Sequence, residues 1–456
     1  MISFGIRDIL ESSSSSPLLK LTPVWSLTCC LIQMYNLQTP FSVCFRGQNP
    51  QYLQQNTMES SKTTADIAIV GAGIVGSALA YFLSNSAKND KKVVLIDRSF
   101  SQLKGSTGHA PGFVGQFNES EVLTHLAMDT VREYIKIPGG FDVVGGLEIA
   151  TSCEGVERLR SRSAMAKRAG LSAELISSGQ AVSLAPDLVK DDNQIALYFP
   201  GDGSANAIRI TSFYQKQAQT KGVELIEANA TEIRQVNGCV EGVMTTSGFI
   251  SAKKVIIATG IWASDLCKFD MPIPIVPVAH PYLYGENHTP KLRKAPWVRW
   301  PQHHVYARDH GTFFGLGSYD HAPVFHEPKE TAIGDWIEQF DGTLGQAMHL
   351  IPEETKLVPR EKLNGIFSMT PDNMPLVGSI PSVEGLYLSA AVWVTHAAGA
   401  AKFLTQMLEE QPVDDAIKRA LDPSRFQGRD MVTLKQESLN GYNNIYKTEE
   451  NGAPKV

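Results

Sequence analysis

The chain has 456 residues, enough for two domains and a large buried core. Its hydrophobic content of 43% and charged content of 19% are those of an ordinary globular protein, and its net charge of -6 argues against a dedicated nucleic-acid-binding protein. The six cysteines show no CxxC spacing, so neither a disulfide framework nor a zinc site is predicted and a reducing compartment is expected.

Residues 1–57 differ in composition from the rest of the chain. Their mildly apolar stretch from Leu18 to Leu37 contains Lys20 and Pro23, so it is a poor membrane span and no transmembrane segment is expected. Few acidic residues and several serines permit a mitochondrial targeting signal, although arginines are sparse. The sequence therefore predicts a disordered or targeting extension and a cytoplasmic location, with the mitochondrion as the alternative.

The segment from Asp66 to Asp97 has the pattern of a dinucleotide-binding unit. An apolar run meets GAGIVG, and a helical pattern leads to a second apolar run that ends at the acid. Gly71 is expected to make the turn, Gly73 to let the backbone approach a pyrophosphate, and Gly76 to let the helix pack on the strand. The phosphates would lie at the helix N-terminus, and Asp97 would accept a hydrogen bond from a ribose hydroxyl. A glycine-rich turn in an unrelated α/β domain is the alternative.

Later parts of the chain alternate between helical and strand patterns. Periodicity predicts a helix ending near Ile135, a strand over 143–150, a helical pair over 154–185, a helix over 208–221, four strands over 223–260, a helix over 331–350, a strand over 386–391 and a helix over 395–408. The last of the four strands, VIIATG, is almost wholly apolar and ends at Gly260, as expected of a buried strand that reaches a ligand. The chain therefore returns to the nucleotide-binding sheet, which predicts a discontinuous domain.

Four segments resemble those of a known enzyme family. They are GSTGHAPGFVGQ (105–116), GGLEIATS (145–152), GIFSMTPDNMPLVG (365–378) and AAVWVTHAAGAAK (390–402). In this order they resemble the D-amino-acid-oxidase-like flavoenzymes, above all the dimethylglycine oxidases and dehydrogenases and their sarcosine-oxidising relatives. The resemblance implies an α/β fold with a discontinuous, glutathione-reductase-like FAD-binding domain of Rossmann type. A smaller α+β substrate cap domain would be built on an antiparallel sheet.

The resemblance divides the chain into interleaved domains. The FAD-binding domain is expected over 64–145, 200–265 and 355–425, and the substrate cap over 146–199 and 266–354. Residues 426–456 are mostly polar and are predicted to form a flexible tail. The relatives add a folate-binding module of several hundred residues, for which these 456 residues have no counterpart.

The resemblance implies FAD as the cofactor, tethered covalently through His109. In the family the histidine of the ST-x-HAPG motif is bonded to the flavin 8α carbon. This bond requires a neutral imidazole nitrogen and a loop with little bulk, which Gly105, Gly108, Ala110 and Gly112 would supply. A loop histidine hydrogen-bonded to backbone is the alternative. The residues expected to bind FAD are Gly71, Gly73, Ile74, Val75, Gly76, Asp97, Arg98, Ser106, Thr107, His109, Gly112, Phe113, Ala230, Gly260, Val392, Trp393, Val394 and Thr395.

Two further features are expected at the cofactor. Ser106 and Thr107 offer hydroxyls to ribityl or phosphate oxygens, or alternatively cap the following turn. The helix that starts near Thr395 would point its N-terminus at the flavin pyrimidine and stabilise the negative charge of the reduced ring. Its small residues would equally serve tight helix packing.

The substrate is expected to meet His280, Tyr306 and Arg308. By resemblance the first two match a histidine and a tyrosine that face the flavin in dimethylglycine oxidase. The histidine would receive or relay the proton that a substrate ammonium must lose, and the tyrosine would hold the amine or a carboxylate. Arg308 would clamp a substrate carboxylate or be a surface or structural arginine. Other histidines crowd the same region, and the residues alone do not choose among them: His303, His304, His310 and His321.

The predicted reaction is FAD-dependent oxidation of a secondary or tertiary amine, either N-methylglycine-like or a specialised metabolite. Hydride passes to flavin N5, and the resulting iminium is hydrolysed. O2 or an electron-transfer protein is the expected acceptor, and formaldehyde would be released because no folate module receives it. A non-catalytic flavin-binding regulatory protein related to dimethylglycine dehydrogenase is the alternative. An NAD-dependent dehydrogenase is disfavoured because the HAPG loop would have no role there.

Overall fold

The computed structural model describes residues 63–86, 91–192, 195–355 and 357–445, so the predicted extension over 1–57 lies outside the described residues. Within them the strands are β1 (Thr63–Val70), β2 (Val93–Asp97), β3 (Phe113–Val114), β4 (Phe141–Asp142), β5 (Gly146–Ala150), β6 (Glu174–Ser177), β7 (Ile195–Phe199), β8 (Gly203–Ala205), β9 (Glu224–Glu227), β10 (Ala230–Val236), β11 (Cys239–Thr245), β12 (Gly248–Ile257), β13 (Val276–Gly285), β14 (Trp297–Trp300), β15 (Val305–Asp309), β16 (Phe314–Ser318), β17 (Ile333–Gly334), β18 (Pro359–Met369), β19 (Leu376–Ser379) and β20 (Leu386–Ala390).

The helices lie largely where the periodicity predicts them. They are α1 (Ile74–Ser84), α2 (Glu121–Tyr134), α3 (Cys153–Arg168), α4 (Ser178–Leu184), α5 (Ala207–Thr220), α6 (Ala263–Leu266), α7 (Gln339–Met348), α8 (Ala397–Leu408), α9 (Asp415–Leu421) and α10 (Met431–Asn443). The helix predicted over 331–350 begins only at Gln339, because Ile333 and Gly334 form β17 instead. Among the helices of the described segments, none has the length and apolar character needed to cross a membrane.

The first sheet contains the predicted nucleotide-binding unit. Its strands lie in the order β10-β11-β12-β1-β2-β9, with β20 beside β12 and β19 beside β20. β1 is parallel to both β2 and β12, and Val70 pairs with Ile96 and with Ile257 near their carboxyl ends. Ile69 faces one apolar core and Val70 the other, so both faces of the sheet are covered. The predicted Rossmann-type architecture is confirmed.

The second sheet forms the cap, in the order β17-β18-β13-β16-β15-β14-β5-β7-β6. Its neighbouring strands are antiparallel except for the parallel pair of β14 and β5, so the predicted antiparallel cap is confirmed with one exception. The domain assignment needs one correction: β18 falls in 355–425, assigned to the FAD-binding domain, but it pairs with β13 inside the cap. No strand is predicted over 359–369, whose first four residues are PREK, so neither the strand nor its partner in the cap was available to the domain assignment.

The predicted flexible tail is wrong for residues 431–443, which form α10. Asp430 caps the helix, its carboxylate accepting a hydrogen bond from the Thr433 N–H at 2.8 Å. Leu434 and Tyr442 are fully buried, and the helix packs against β13 and β18 of the cap. The prediction failed because only two of the buried residues of α10, Leu434 and Tyr442, have large hydrophobic side chains, which leaves a weak apolar stripe. Residues 446–456 lie outside the described part.

A buried ion network joins three elements of the cap. The Glu148 carboxylate on β5 accepts two hydrogen bonds from Arg162 on α3, at 2.7 and 2.9 Å, and one from Arg299 on β14. Arg162 also donates to Glu119, which precedes α2, at 2.9 Å. Burial alone would raise the pKa of Glu148, but the two guanidinium groups outweigh it and bring this pKa to about 2.

Glu148→Gln is expected to lower the free energy of unfolding by about 3–5 kcal/mol at pH 7, because it removes the buried carboxylate shared by Arg299 and Arg162 and leaves Arg162 only its pair with Glu119. Since the folded pKa lies below its unfolded value, the ionised carboxylate stabilises the fold above about pH 4.5, and this contribution is lost as pH falls towards 2. Urea unfolding at several pH values measures both effects. Glu157→Gln, on the exposed pair with Arg160, is the control and should cost less than about 1 kcal/mol.

Candidate active site

A cavity of about 810 Å³ lies between the carboxyl ends of the parallel strands and the cap sheet. This volume is within the usual range for small-molecule and cofactor sites, and the edge of carboxyl ends is where open α/β sheets bind ligands. All the residues predicted to bind FAD line it except Gly76, and His280 and Tyr306 line it as well. Arg308 does not.

The glycine-rich turn after β1 has no room for side chains. Gly71 has a φ of 104°, and a Cβ on it would lie 2.4 Å from the Ala258 carbonyl oxygen. A Cβ on Gly76 would lie 1.8 Å from the carbonyl oxygen of Gly71. Gly76 thus lets the first helical turn of α1 pack directly against the carbonyl of Gly71. Because Gly76 lies inside this contact, it does not line the cavity.

Gly76→Ala is therefore expected to distort the turn, lowering both the melting temperature and the FAD content of the purified protein. Gly342→Ala is the matched control: it lies within α7, and a Cβ there would meet no atom within 4 Å. This control should stabilise the fold by roughly 0.5–1 kcal/mol with unchanged FAD content. Thermal unfolding and the flavin-to-protein absorbance ratio test the prediction, which is wrong if both variants retain flavin equally.

The N-terminus of α1 opens on the cavity. Asp97, at the end of β2, accepts hydrogen bonds from Ala72 N–H at 2.6 Å and from Ser99 N–H at 3.0 Å, so its carboxylate is fixed at the turn. The first turn of α1 carries no acidic residue, and backbone N–H groups with a positive helix end suit a pyrophosphate. The Thr107 hydroxyl accepts from Ile74 N–H at 3.1 Å, so it caps α1 rather than the turn that follows it.

The 105–112 loop carries His109 on the cavity wall. Its glycines contribute unequally: a Cβ on Gly108 would lie 2.0 Å from the Leu103 carbonyl oxygen, and one on Gly112 2.0 Å from that of Ala205, whereas Gly105 has ordinary space. Within the described part of the chain the His109 ring makes no hydrogen bond, so the predicted alternative of a backbone-bonded histidine is not observed there. Burial lowers its pKa, which favours the neutral imidazole.

The segment after β20 forms a second wall. Ala391 has a left-handed φ of 54°, which turns the chain so that residues 392–395 follow the cavity. α8 begins directly afterwards; its N-cap residue, His396, makes no side-chain cap, and the Thr130 hydroxyl accepts from the Gly399 N–H at 2.9 Å. The predicted alternative, tight helix packing, is also observed at Gly399. A Cβ there would lie 2.2 Å from the Leu126 carbonyl oxygen on α2. These features fit a bound flavin: a glycine-rich turn with no room for side chains, helices that begin at the cavity, and a wall formed by residues 392–395.

His280 and Tyr306 meet at the cap end of the cavity. His280 Nε2 lies 2.9 Å from the Tyr306 hydroxyl, and both residues are buried. Burial, together with the nearby His321, lowers the pKa of His280 well below its usual value, so the ring is neutral at physiological pH. Aromatic rings surround the pair and line the same end of the cavity: Phe113, Tyr282, Tyr319, Phe367 and Trp393.

Arg308 does not occupy the predicted position at the substrate. Its guanidinium donates to the Pro111 carbonyl and lies where a Cβ on Gly112 would approach it to 2.8 Å. Of the two predicted roles, the structural one is observed: Arg308 supports the loop that carries His109. Residues 306 and 308 share a face of β15 but lie about 7 Å apart along the strand, and this spacing places Arg308 beside the loop instead of beside Tyr306.

Several residues at the site were not among the predicted ones. Trp262 lines the cavity with Arg98 stacked 4.3 Å above its ring, and its indole N–H donates to the Lys329 carbonyl at 3.0 Å. Tyr319 and Phe367 complete the aromatic end. Phe367 belongs to a segment that carried the family resemblance, so that motif was a usable signal, whereas Trp262 and Tyr319 had none.

Comparisons with known proteins agree with this geometry. A family model described as DAO, FAD dependent oxidoreductase, matches residues 66–407. Human mitochondrial sarcosine dehydrogenase is 27% identical over 362 residues, covering 75% of this chain and 39% of the relative. Rat mitochondrial dimethylglycine dehydrogenase is 27% identical over 429 residues, covering 85% and 48%. The crystal structure of L-proline dehydrogenase from P. horikoshii matches with a TM-score of 0.72 at 20% identity, covering 80% of this chain and 98% of that one. The chain spans less than half the length of both curated relatives.

Proposed function

The chain belongs to the DAO family of FAD-dependent oxidoreductases, and we propose that it oxidises a secondary or tertiary amine. FAD would be held by the 71–76 turn, Asp97, the 105–113 loop and the 392–395 wall, with His109 as its covalent attachment. When bound, FAD supplies the hydride acceptor. The amine gives up a hydride from its N–CH carbon and becomes an iminium, which water hydrolyses to an aldehyde and the dealkylated amine. O2 or an electron-transfer protein would be the final acceptor.

The single observation that carries this proposal is the His280–Tyr306 pair inside an aromatic end of the cavity. Aromatic faces attract alkylated ammonium groups, and a buried neutral histidine has a lone pair to direct the loss of their proton. The acidic residues that line the cavity lie elsewhere: Asp97 at the end of β2, Asp265 on α6, and Glu330 beside Lys329, whose carbonyl contacts Trp262. An amine at the aromatic end would therefore react as the neutral base.

The names of the relatives, together with the site, support the proposed substrate class. Sarcosine and dimethylglycine dehydrogenases are named for N-methylated glycines, and L-proline dehydrogenase for a cyclic secondary amine. Because Arg308 lies outside the cavity lining, a carboxylate clamp at that position is not part of the proposal. This favours an amine recognised by its apolar substituents, such as a specialised metabolite, over a small N-methylated amino acid.

The test is anaerobic reduction of the bound flavin, followed by its visible absorbance, in the full-length protein. The panel contains sarcosine, dimethylglycine, proline, larger cyclic and N-methylated amines without a carboxylate, and primary amino acids. Bleaching by secondary or tertiary amines with release of an aldehyde supports the proposal, and preference for the amines without a carboxylate supports the finer form. Stable yellow protein with every amine would contradict it and favour the non-catalytic alternative.

A further inference from the structure

A chain of four hydrogen-bonded side chains leads away from the cavity. Tyr306 contacts His280 Nε2 at 2.9 Å, and His280 Nδ1 lies 2.6 Å from the hydroxyl of Tyr442 on α10. The same hydroxyl lies 2.8 Å from His321 Nε2, and His321 Nδ1 lies 2.8 Å from the Ala322 carbonyl oxygen. His280, Tyr442 and His321 are all buried, so these contacts are not shared with bulk water.

The Ala322 carbonyl, at the end of this series of hydrogen bonds that lies farthest from the cavity, determines the direction of every hydrogen bond in the series. A carbonyl oxygen only accepts, so His321 Nδ1 carries the proton and, in the neutral ring, Nε2 accepts from the Tyr442 hydroxyl. The Tyr442 oxygen then accepts from His280 Nδ1–H, which leaves His280 Nε2 as the acceptor of the Tyr306 hydroxyl proton. The Tyr306 oxygen is thus the acceptor end of the chain on the cavity side.

We propose that Tyr442 and His321 are positioning residues that orient this chain and make Tyr306 a proton acceptor towards the amine substrate. The inference rests on the proposed function. The ammonium N–H bond breaks and its proton joins the Tyr306 oxygen; the Tyr306 proton passes to His280 Nε2, the His280 Nδ1 proton to Tyr442, and the Tyr442 proton to His321 Nε2. One proton moves from the ammonium to His321, both hydroxyls and His280 stay neutral, and no electrons are transferred.

The surroundings of the two histidines favour the far one as the resting place of the proton. Burial lowers the pKa of both, but the hydrogen bond to the Ala322 carbonyl opposes that effect at His321 only. The titratable groups that face His280 are Tyr306, Tyr319, Tyr442 and His321, beside the ring of Phe367. His321 faces Tyr442 and the ring of Phe340 on α7, and Asp320 adjoins it in sequence.

The orientation is tested without turnover, by 15N NMR of the full-length protein labelled at histidine. Spectra of His280→Gln and His321→Gln assign the two rings. The wild type should show both as neutral Nδ1–H tautomers. In Tyr442→Phe, which keeps the buried ring but removes the hydroxyl, His280 should change to the Nε2–H tautomer because Nδ1 has lost its acceptor. Tyr214→Phe is the control: it removes another buried hydroxyl, which lies outside the cavity and has no hydrogen-bond partner in the described structure.

Kinetics provide the second readout, provided that an amine substrate has been found. Tyr442→Phe should lower the rate of flavin reduction roughly tenfold, less than the 10²–10⁴-fold typical of removing the acid–base group itself, and should shift the acid limb of its pH profile. His321→Gln should shift the same limb, and Tyr214→Phe should not. A His280 Nε2–H tautomer in the wild type, or an unchanged tautomer and pH profile in Tyr442→Phe, overturns the inference. If no amine reduces the flavin, the proposed function fails while the NMR result still decides the orientation.

Discussion

His109→Ala should release all of its flavin when the protein is precipitated with acid, whereas the wild type should keep the yellow colour in the pellet. The half-buried His109 ring lines the cavity, has no hydrogen-bond partner in the described segments, and is kept neutral by burial. A neutral nitrogen is the form that bonds to carbon. Absorbance of the redissolved pellet and of the supernatant measures the bound and free fractions.

The control for this experiment is His125→Ala, which removes an exposed histidine on α2 and should leave the flavin attached. A colourless wild-type pellet with FAD in the supernatant would contradict the covalent link. It would leave the family assignment intact, since the match over residues 66–407 does not depend on that bond.

Tyr306→Phe should lower the rate of flavin reduction by the best amine substrate by at least about 100-fold, the lower end of the range for removing a group that takes part in proton transfer. The substitution keeps the ring between Phe113, Tyr282 and Tyr319 but removes the hydroxyl that contacts His280. Anaerobic stopped-flow reduction across substrate concentrations separates the rate of the chemical step from binding.

Tyr284→Phe is the matched control, because Tyr284 lies two residues beyond Tyr282 on β13 and does not line the cavity. It should reduce at the wild-type rate. If Tyr306→Phe also reduces within about twofold of the wild type, the hydroxyl has no part in the reaction, and the histidine must meet the amine by another route. A raised KM with an unchanged limiting rate would assign Tyr306 to binding alone.

The family and the nucleotide-binding architecture were accessible from the sequence because their signals are local. Backbone atoms leave no space for a Cβ at Gly71 and Gly76, so the turn at 71–76 requires glycine at both positions. Glycines at such spacing can be recognised in a single sequence. The HAPG loop is equally compact: two of its glycines, Gly108 and Gly112, are required by backbone contacts and place His109 on the cavity wall.

Residues whose role depends on distant partners were harder to assign. The sequence predicts either a substrate clamp or a structural role for Arg308, and its contact with the Pro111 carbonyl fits the structural role. No strand is predicted over 359–369, and only the pairing of β18 with β13 places that segment in the cap. Local pattern predicts the type of an element, whereas its neighbour is a matter of packing and register.

The sequence by itself determined the fold class and predicted the glycine turn at 71–76, and the family resemblance singled out His280 and Tyr306, which both line the cavity. Only the tertiary structure showed that Tyr442, in a segment predicted to be a tail, lies 2.6 Å from His280 and joins it to His321. His280 lies 162 positions and His321 lies 121 positions before Tyr442 in the sequence. The physical reason is that a glycine motif is visible as residue types at fixed spacing within a few consecutive residues, whereas a buried hydrogen-bond chain exists only where packing brings remote elements together.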